Sequence, residues 1–221
     1  MSNTEPFRRP LKTRRWPLAG GVAQQLGDRG ISPDQISLAS MGFALAGALF
    51  LVVSGYLDGG SRWFVLLLAA LMIQGRLLCN LLDGMVAVEG GKRTPAGELF
   101  NEVPDRICDV LLLVAAGYAL PAFASSVWLG WLAAVLAVGT AYIRLLGVSL
   151  QLPADYRGPM AKPHRMALLT GACVVSFIEL HWGSTGFVLY VALWLLVVGI
   201  AWTAGRRLLS MYRQLNGVEG L

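Results

Sequence analysis

Stretches of about twenty apolar residues recur along most of the chain, at 36–55, 63–87, 96–120, 127–148, 166–182 and 186–204. A helix needs roughly 17–25 such residues to cross a bilayer. Inside lipid, backbone amides must be satisfied within the segment itself or within a closed barrel, so stretches of this length become helices. The expected fold class is all-α, a polytopic membrane bundle of six transmembrane helices. Only 14% of the 221 residues are charged, against about 25% in a typical soluble domain, and mean hydropathy is +0.60.

Basic residues fall on one side of this layout. Arg8, Arg9, Lys12, Arg14, Arg15 and Arg29 precede the first span, and Lys92 and Arg93 lie between the second and third. Arg157, Lys162 and Arg165 lie between the fourth and fifth, and Arg206, Arg207 and Arg213 follow the sixth. The opposite loops offer only Arg62. This asymmetry predicts cytoplasmic termini and cytoplasmic second–third and fourth–fifth loops. The net charge of +5 then reflects orientation and contact with membrane lipid. Basic residues are not interleaved with aromatics along one face, so nucleic acid is not an expected partner.

Three regions follow: a basic cytoplasmic segment over 1–31, a six-helix transmembrane domain over 32–208, and a cytoplasmic tail over 209–221. The first 35 residues are polar and basic, which does not fit a cleaved secretory leader. Ser32-Pro33-Asp34-Gln35 reads as a helix start with a capping box. Before it, Leu18, Val22 and Leu26 share a helical face, as in a juxtamembrane helix on the membrane surface. Gly20 and Gly21 weaken that reading and leave an unstructured basic tail equally open. Cys79, Cys108 and Cys173 lie in apolar stretches without metal-site spacing and read as small buried hydrophobes.

One pair of spans carries polar groups where they are expensive. Asn80, Asp83, Gly84 and Ala87 share one helical face by their i, i+3, i+4, i+7 spacing. Gly97, Asn101, Asp105 and Asp109 recur every fourth residue on the next span, with Glu98 and Glu102 in the same arc. A short connection over 89–95 predicts antiparallel neighbours whose polar faces meet near the cytoplasmic surface. Intramembrane ionisable groups mark a functional site by default. Hard oxygen donors of this kind suit Mg²⁺, Mn²⁺ or Ca²⁺. Glycine and alanine leave room for a ligand to lie against the backbone. Pro104 removes a donor to the Phe100 carbonyl and is expected to kink the helix.

The same residues, N-LL-D-G-MV-A-V-EGGKRTPA-G-ELF-N-EVP-D, resemble the signature of the CDP-alcohol phosphotransferases, D-x2-D-G-x2-A-R-x8-G-x3-D-x3-D. All gaps agree. Asp83, Gly84, Ala87, Gly97 and Asp105 match by identity, Asn80 and Asn101 stand at the first and third Asp positions, and Val88 stands at the Arg position. The chain is similar to a bacterial subgroup with Asn at these two places. Arg157-Gly-Pro-Met-Ala-Lys162-Pro-His164-Arg165 resembles that subgroup's G-P-x-G-K-x-D-R segment.

The resemblance implies an integral enzyme of the bacterial inner membrane with a cytoplasmic active site. It would move a phosphatidyl or other phospho-alcohol group from a CDP-linked donor, CDP-diacylglycerol by preference, to a hydroxyl acceptor. CMP would leave, and the product would enter phospholipid biosynthesis. Asp105 would be the catalytic base. Asp83 and Asp105, with Asn80 and Asn101, would hold one or two divalent cations, Mg²⁺ or Mn²⁺. Asp83, Gly84, Ala87 and Gly97 would contact CDP. Lys162, Arg165, Lys92 and Arg93 are candidates for phosphate, and Glu98, Glu102 and Asp109 for replacing the lost carboxylate charge. The resemblance also allows a homodimer. The sequence leaves the acceptor open, and it keeps two rivals: a catalytically degenerate CDP-lipid-binding or scaffold protein, and a small transporter.

Overall fold

The computed structural model describes residues 17–89, 96–179, 183 and 186–217. Among them are seven α-helices and no strand. They are α1 (Pro17–Asp28), α2 (Pro33–Ser54), α3 (Gly59–Glu89), α4 (Gly97–Tyr118), α5 (Ser126–Ser149), α6 (Lys162–Val175) and α7 (Phe187–Leu215). A 3₁₀ turn, Ser176–Ile178, extends α6. By length and apolarity α2, α3, α5 and α7 are candidate spans. α4 has the length, 22 residues, but carries the charged face. α6 has only 14 residues, because Lys162 and Pro163 open it at the basic end. The last helix runs to Leu215, beyond the span boundary expected at 204.

Ser32 caps α2 as its sequence predicts. Its Oγ accepts from the Gln35 amide at 3.2 Å, and the Gln35 side chain accepts from the Ser32 amide at 3.0 Å. α1 is helical despite Gly20 and Gly21. Ala23 is buried, and with Leu26 it packs in one cluster with Leu82, Met85 and Val86 of α3. α1 therefore sits over the end of α3 that carries the polar motif.

α2 is the wedge of the bundle and packs against both α3 and α4, whose backbones make little direct contact. This departs from the close antiparallel pairing expected of α3 and α4. The reason is side-chain size. α2 presents Ser37, Ser40, Ala44, Gly47 and Ala48, all buried, whereas α3 and α4 face each other with long or charged groups. A Cβ at Gly47 would come within 3.3 Å of both Met72 on α3 and Leu112 on α4. Polar side chains, rather than helix surfaces, bridge the gap. α4 and α5 are close-packed through glycine: a Cβ on Gly117 would lie 2.6 Å from the Ser126 carbonyl oxygen, and one on Gly130 2.8 Å from that of Leu113.

The end opposite the motif is tied by buried polar groups. Arg62 donates to the carbonyls of Ser54 (2.7 Å) and Ala119 (3.1 Å). Glu179 accepts from the Gly186 and Val188 amides at the start of α7. Arg62, read from sequence as a loop charge, is thus an interior clamp.

Candidate functional site

The polar residues of α3 and α4 converge through their side chains. Asn80 Nδ2 donates to Asp105 Oδ1 at 2.8 Å. A carboxylate can only accept, so the amide nitrogen must face Asp105 and the Asn80 carbonyl oxygen points away. Four residues earlier on the same face, Arg76 is fully buried. Its Nη2 lies 3.0 Å from Asp109 Oδ1, 3.5 Å from Asp105 Oδ1 and 3.3 Å from the Asp105 carbonyl.

α6 contributes two further cations, and Arg106 of α4 itself lies 3.8 Å from Asp105 Oδ2. Lys162 Nζ pairs with Asp105 Oδ2. Arg165 Nη2 lies 2.6 Å from Asp109 Oδ2, and its Nη1 reaches Thr140 Oγ1 and the Met160 carbonyl, each at 3.3 Å. Asp105 and Asp109 are therefore held by cations from two other helices. Of the phosphate candidates in the sequence, Lys162 lies against Asp105 and Arg165 is engaged by Asp109. Asp109 and Glu102, considered as compensating carboxylates, already have partners. Glu102 meets Arg144 at 2.6 Å and Arg106 at 3.6 Å. Lys92, Arg93 and the side chain of Glu98 lie outside the described residues, as does that of Val88.

Asp83 is in a different position. It is 5% exposed, and its contacts are neutral donors: Ser37 Oγ at 2.5 Å and the Gly84 backbone amide. No salt bridge reaches it among the described residues. A buried carboxylate without a paired cation is costly, so this is the point in the crevice that calls for positive charge. Gly84 and Ala87, on the same helix, and Gly97, at the start of α4, are partly exposed, and Asn101 is exposed. Among the described residues no three acidic, histidine or cysteine side chains converge on one point. The set read from the sequence would instead be two carboxylates, Asp83 and Asp105, and two carboxamides, Asn80 and Asn101, of which Asn80 and Asp105 meet directly and Asn101 is exposed. All offer hard oxygen and fit a Mg²⁺- or Mn²⁺-type ion, at lower charge than four carboxylates would.

Beside this crevice opens a cavity of about 760 Å³, lined by Arg157, Arg206, Arg207 and Arg213 with Asp155 and Tyr156 among others. Arg157 grips Asp155 through Nε and Nη2, both at 3.0 Å. Burial pushes the Asp155 carboxyl up, but the Arg157 hydrogen bonds outweigh it and hold the pKa below the ordinary carboxylate value. Arg207 donates to the carbonyls of Thr140 (2.9 Å) and Arg157 (3.0 Å). Thr140 thus joins the two halves, carbonyl to Arg207 and hydroxyl to Arg165, whose other end holds Asp109. The loop can pass this close to α7 because Gly158 adopts φ +131°; a Cβ there would lie 2.4 Å from Thr203 Cγ2.

Arg76 and Arg144 sit near the polar ends of their spans, where sequence allows either to point at the site or to snorkel, and sequence reasoning missed Ser37, Thr140 and the arginine cavity. For Arg206, Arg207 and Arg213 the signal was present but ambiguous, because topology-setting charges and an anion site look alike in sequence. Ser37 had no signal, since a serine in an apolar helix usually bonds its own backbone.

No family model matches the chain. The chain is 30% identical over 207 residues to a phosphatidylinositol phosphate synthase of Mycobacterium marinum, covering 89% of the chain and 78% of the relative. It is 28% identical over 195 residues to a phosphatidylinositol phosphate synthase of Streptomyces avermitilis, covering 84% and 74%. It is also 28% identical over 141 residues to the inner membrane protein YnbA of Escherichia coli, covering 64% and 65%. Its fold is similar to crystal structures of Mycobacterium tuberculosis phosphatidylinositol phosphate synthase. The complex with manganese and citrate superposes with TM-score 0.72 at 24% identity over 88% of each chain. The CDP-DAG complex superposes with TM-score 0.71 at 24% identity, over 88% of this chain and 94% of the other.

Proposed function

The chain belongs to the CDP-alcohol phosphotransferase family, and from that premise we propose that it transfers the phosphatidyl group of CDP-diacylglycerol to a phosphorylated polyol, with inositol phosphate the leading acceptor. It is an integral-membrane transferase of phospholipid synthesis. In this reading α4 and α6 complete six spans, the basic end faces the cytoplasm, and the membrane is a bacterial inner membrane.

The observation that carries the acceptor class is the pairing of the crevice with an arginine cavity. A bare hydroxyl acceptor needs no such charge. A phosphate monoester does, and arginine is suited to bind it bidentately. Arg206 and Arg213 have no carboxylate partner among the described residues, so their charge is free for an anion.

Chemistry follows from position. CDP-diacylglycerol lies along the α3–α4 face, with the cytidine diphosphate close to Gly84, Ala87 and Gly97. A divalent cation, held by Asp83 with Asn80 and Asn101 and reached by Asp105, offsets phosphoryl charge in the transition state when bound. The cavity arginines hold the acceptor phosphate and turn its hydroxyl toward Asp105. Lys162 then has a second anion to pair with, which releases Asp105 Oδ2 to accept the hydroxyl proton. The acceptor oxygen bonds to the phosphorus that carries diacylglycerol, the bond from that phosphorus to CMP breaks, and CMP leaves. Rigid helices supply the alignment.

The test is a product assay with purified protein, CDP-diacylglycerol and Mn²⁺, comparing inositol phosphate, inositol, glycerol phosphate and serine. The expected lipid product carries the phosphorylated polyol. A preference for unphosphorylated inositol or serine would overturn the acceptor assignment, and CMP release with none of them would favour the non-catalytic binding role.

A further inference from the structure

Among the described residues Arg76 is the largest fully buried side chain, and the transfer reaction as described does not need it. Only its Nη2 is matched, to Asp105 and Asp109; Nε and Nη1 are buried without hydrogen-bond partners. Asp109 already has Arg165 at 2.6 Å. As a purely structural clamp, a guanidinium with two unmatched nitrogens is a poor choice. Its charge, placed where it is, is what distinguishes it.

The formal charges in the buried part of the crevice can be counted. Asp83, Asp105 and Asp109 supply three negative charges, and Arg76, Lys162 and Arg165 supply three positive ones. Nearer the rim, Glu102 faces two cations, Arg144 and Arg106, and Arg106 also lies 3.8 Å from Asp105 Oδ2, so the rim adds one positive charge. The protein set therefore carries no net negative charge by itself. A diphosphate diester brings two ionised oxygens, which one divalent cation neutralises. Two divalent cations would leave a surplus of at least two positive charges in a low-dielectric crevice, which is strongly unfavourable. The positive side chains are all gathered at Asp105 and Asp109, while Asp83 has only neutral donors. The Asn80 amide, turned toward Asp105 by its nitrogen, keeps its carbonyl oxygen for another partner.

We propose that Arg76 is a built-in cation serving the Asp105 end of the site, so that this protein works with a single divalent cation, bound at the Asp83 end. The two carboxamides and Arg76 are then one adaptation: carboxylate charge is absent because a fixed guanidinium has replaced a mobile ion. The inference rests on the transferase reading, but its test does not depend on turnover.

The measurement is Mn²⁺ stoichiometry on the purified full-length protein with CDP present, followed by the EPR signal of free Mn²⁺ during titration. One Mn²⁺ per chain is expected in the wild type and in Arg76→Lys. The combined variant Arg76→Met, Asn80→Asp, Asn101→Asp should rise from one to two. Should that variant fail to fold, the wild-type count still decides. Two Mn²⁺ in the wild type, or none, would overturn the proposal. A protein that binds one Mn²⁺ and releases no CMP would instead sink the transferase reading and leave this one standing.

Discussion

Arg165 Nη2 lies 2.6 Å from Asp109 Oδ2, and the two side chains are 3% and 1% exposed. This contact ties α6 to α4 in the interior of the bundle, with Arg76 closing on the other carboxylate oxygen. Removing one member of a buried pair leaves an uncompensated charge, which costs about 3–5 kcal/mol. Arg165→Met and Asp109→Asn should each lower the unfolding temperature in detergent markedly. The double variant should lose less than the sum of the two. Additive losses would mean that the pair is not coupled.

In the proposed mechanism Asp105 accepts the acceptor's proton, a role that Asp109 does not share. Asp105→Asn preserves size and can still accept from Lys162, but it cannot take a proton. Turnover per folded molecule should fall by about 10²–10⁴-fold, the usual worth of a general base, and the unfolding temperature should fall as well, because Arg76 and Lys162 lose their carboxylate. A variant that keeps most of its turnover would remove Asp105 from the chemistry.

On the proposed reading the arginine cavity holds the acceptor phosphate. A hydrogen bond to a charged group is worth about 1.5–3 kcal/mol, so Arg213→Ala and Arg206→Ala should each raise KM for a phosphorylated acceptor by roughly tenfold or more. KM for CDP-diacylglycerol should stay the same. An equal rise for both substrates would place these residues on the donor instead.

Asp155 tunes that cavity. Its carboxyl is held below the ordinary value because Arg157 hydrogen bonds outweigh the effect of burial. A lowered folded pKa gives stability that is complete above the unfolded value, near 3.9, and is lost as pH falls through the folded one. Between about pH 5 and 8 this pair should therefore leave acceptor KM flat. Asp155→Asn should release Arg157 at neutral pH and lower acceptor KM a few-fold. An increase would show that Asp155 is needed to aim Arg157.

Much of this architecture was written in local pattern. The helix start at Ser32, the apolar periods and the spacing from Asn80 to Asp105 rest on rules that act within one or two turns. Harder to read were long-range choices among equals. Arg62, Arg76, Arg165 and Arg207 are all arginines near span ends, and sequence cannot say which turn inward to a carboxylate or carbonyl and which stay in the headgroups. The gap between α3 and α4 was also hidden, because it depends on α2 presenting Gly47 between them. The fifth span was placed too late, at 166–182, because Lys162 and Arg165 read as loop charges, whereas α6 begins at Lys162 and passes into a 3₁₀ turn at Ser176.

The α4–α5 contact offers a test of the fold that spares the site. A Cβ on Gly130 would press on the Leu113 carbonyl at 2.8 Å, and backbone cannot yield cheaply. Gly130→Val should cost about 1–3 kcal/mol, the usual range for overpacking, and lower the unfolding temperature. An unchanged temperature would mean that α4 and α5 are further apart than this contact requires.

The central claim is that this crevice performs phosphatidyl transfer with two of its four oxygen donors as carboxamides. The most direct measurement is CMP released from CDP-diacylglycerol by the purified protein, with Mn²⁺ and inositol phosphate, before and after chelation. The account predicts one CMP per phosphatidylated acceptor, abolished by the chelator and by Asp105→Asn. CMP release that persists after chelation, or no CMP from well-folded protein with any phosphorylated acceptor, would contradict it.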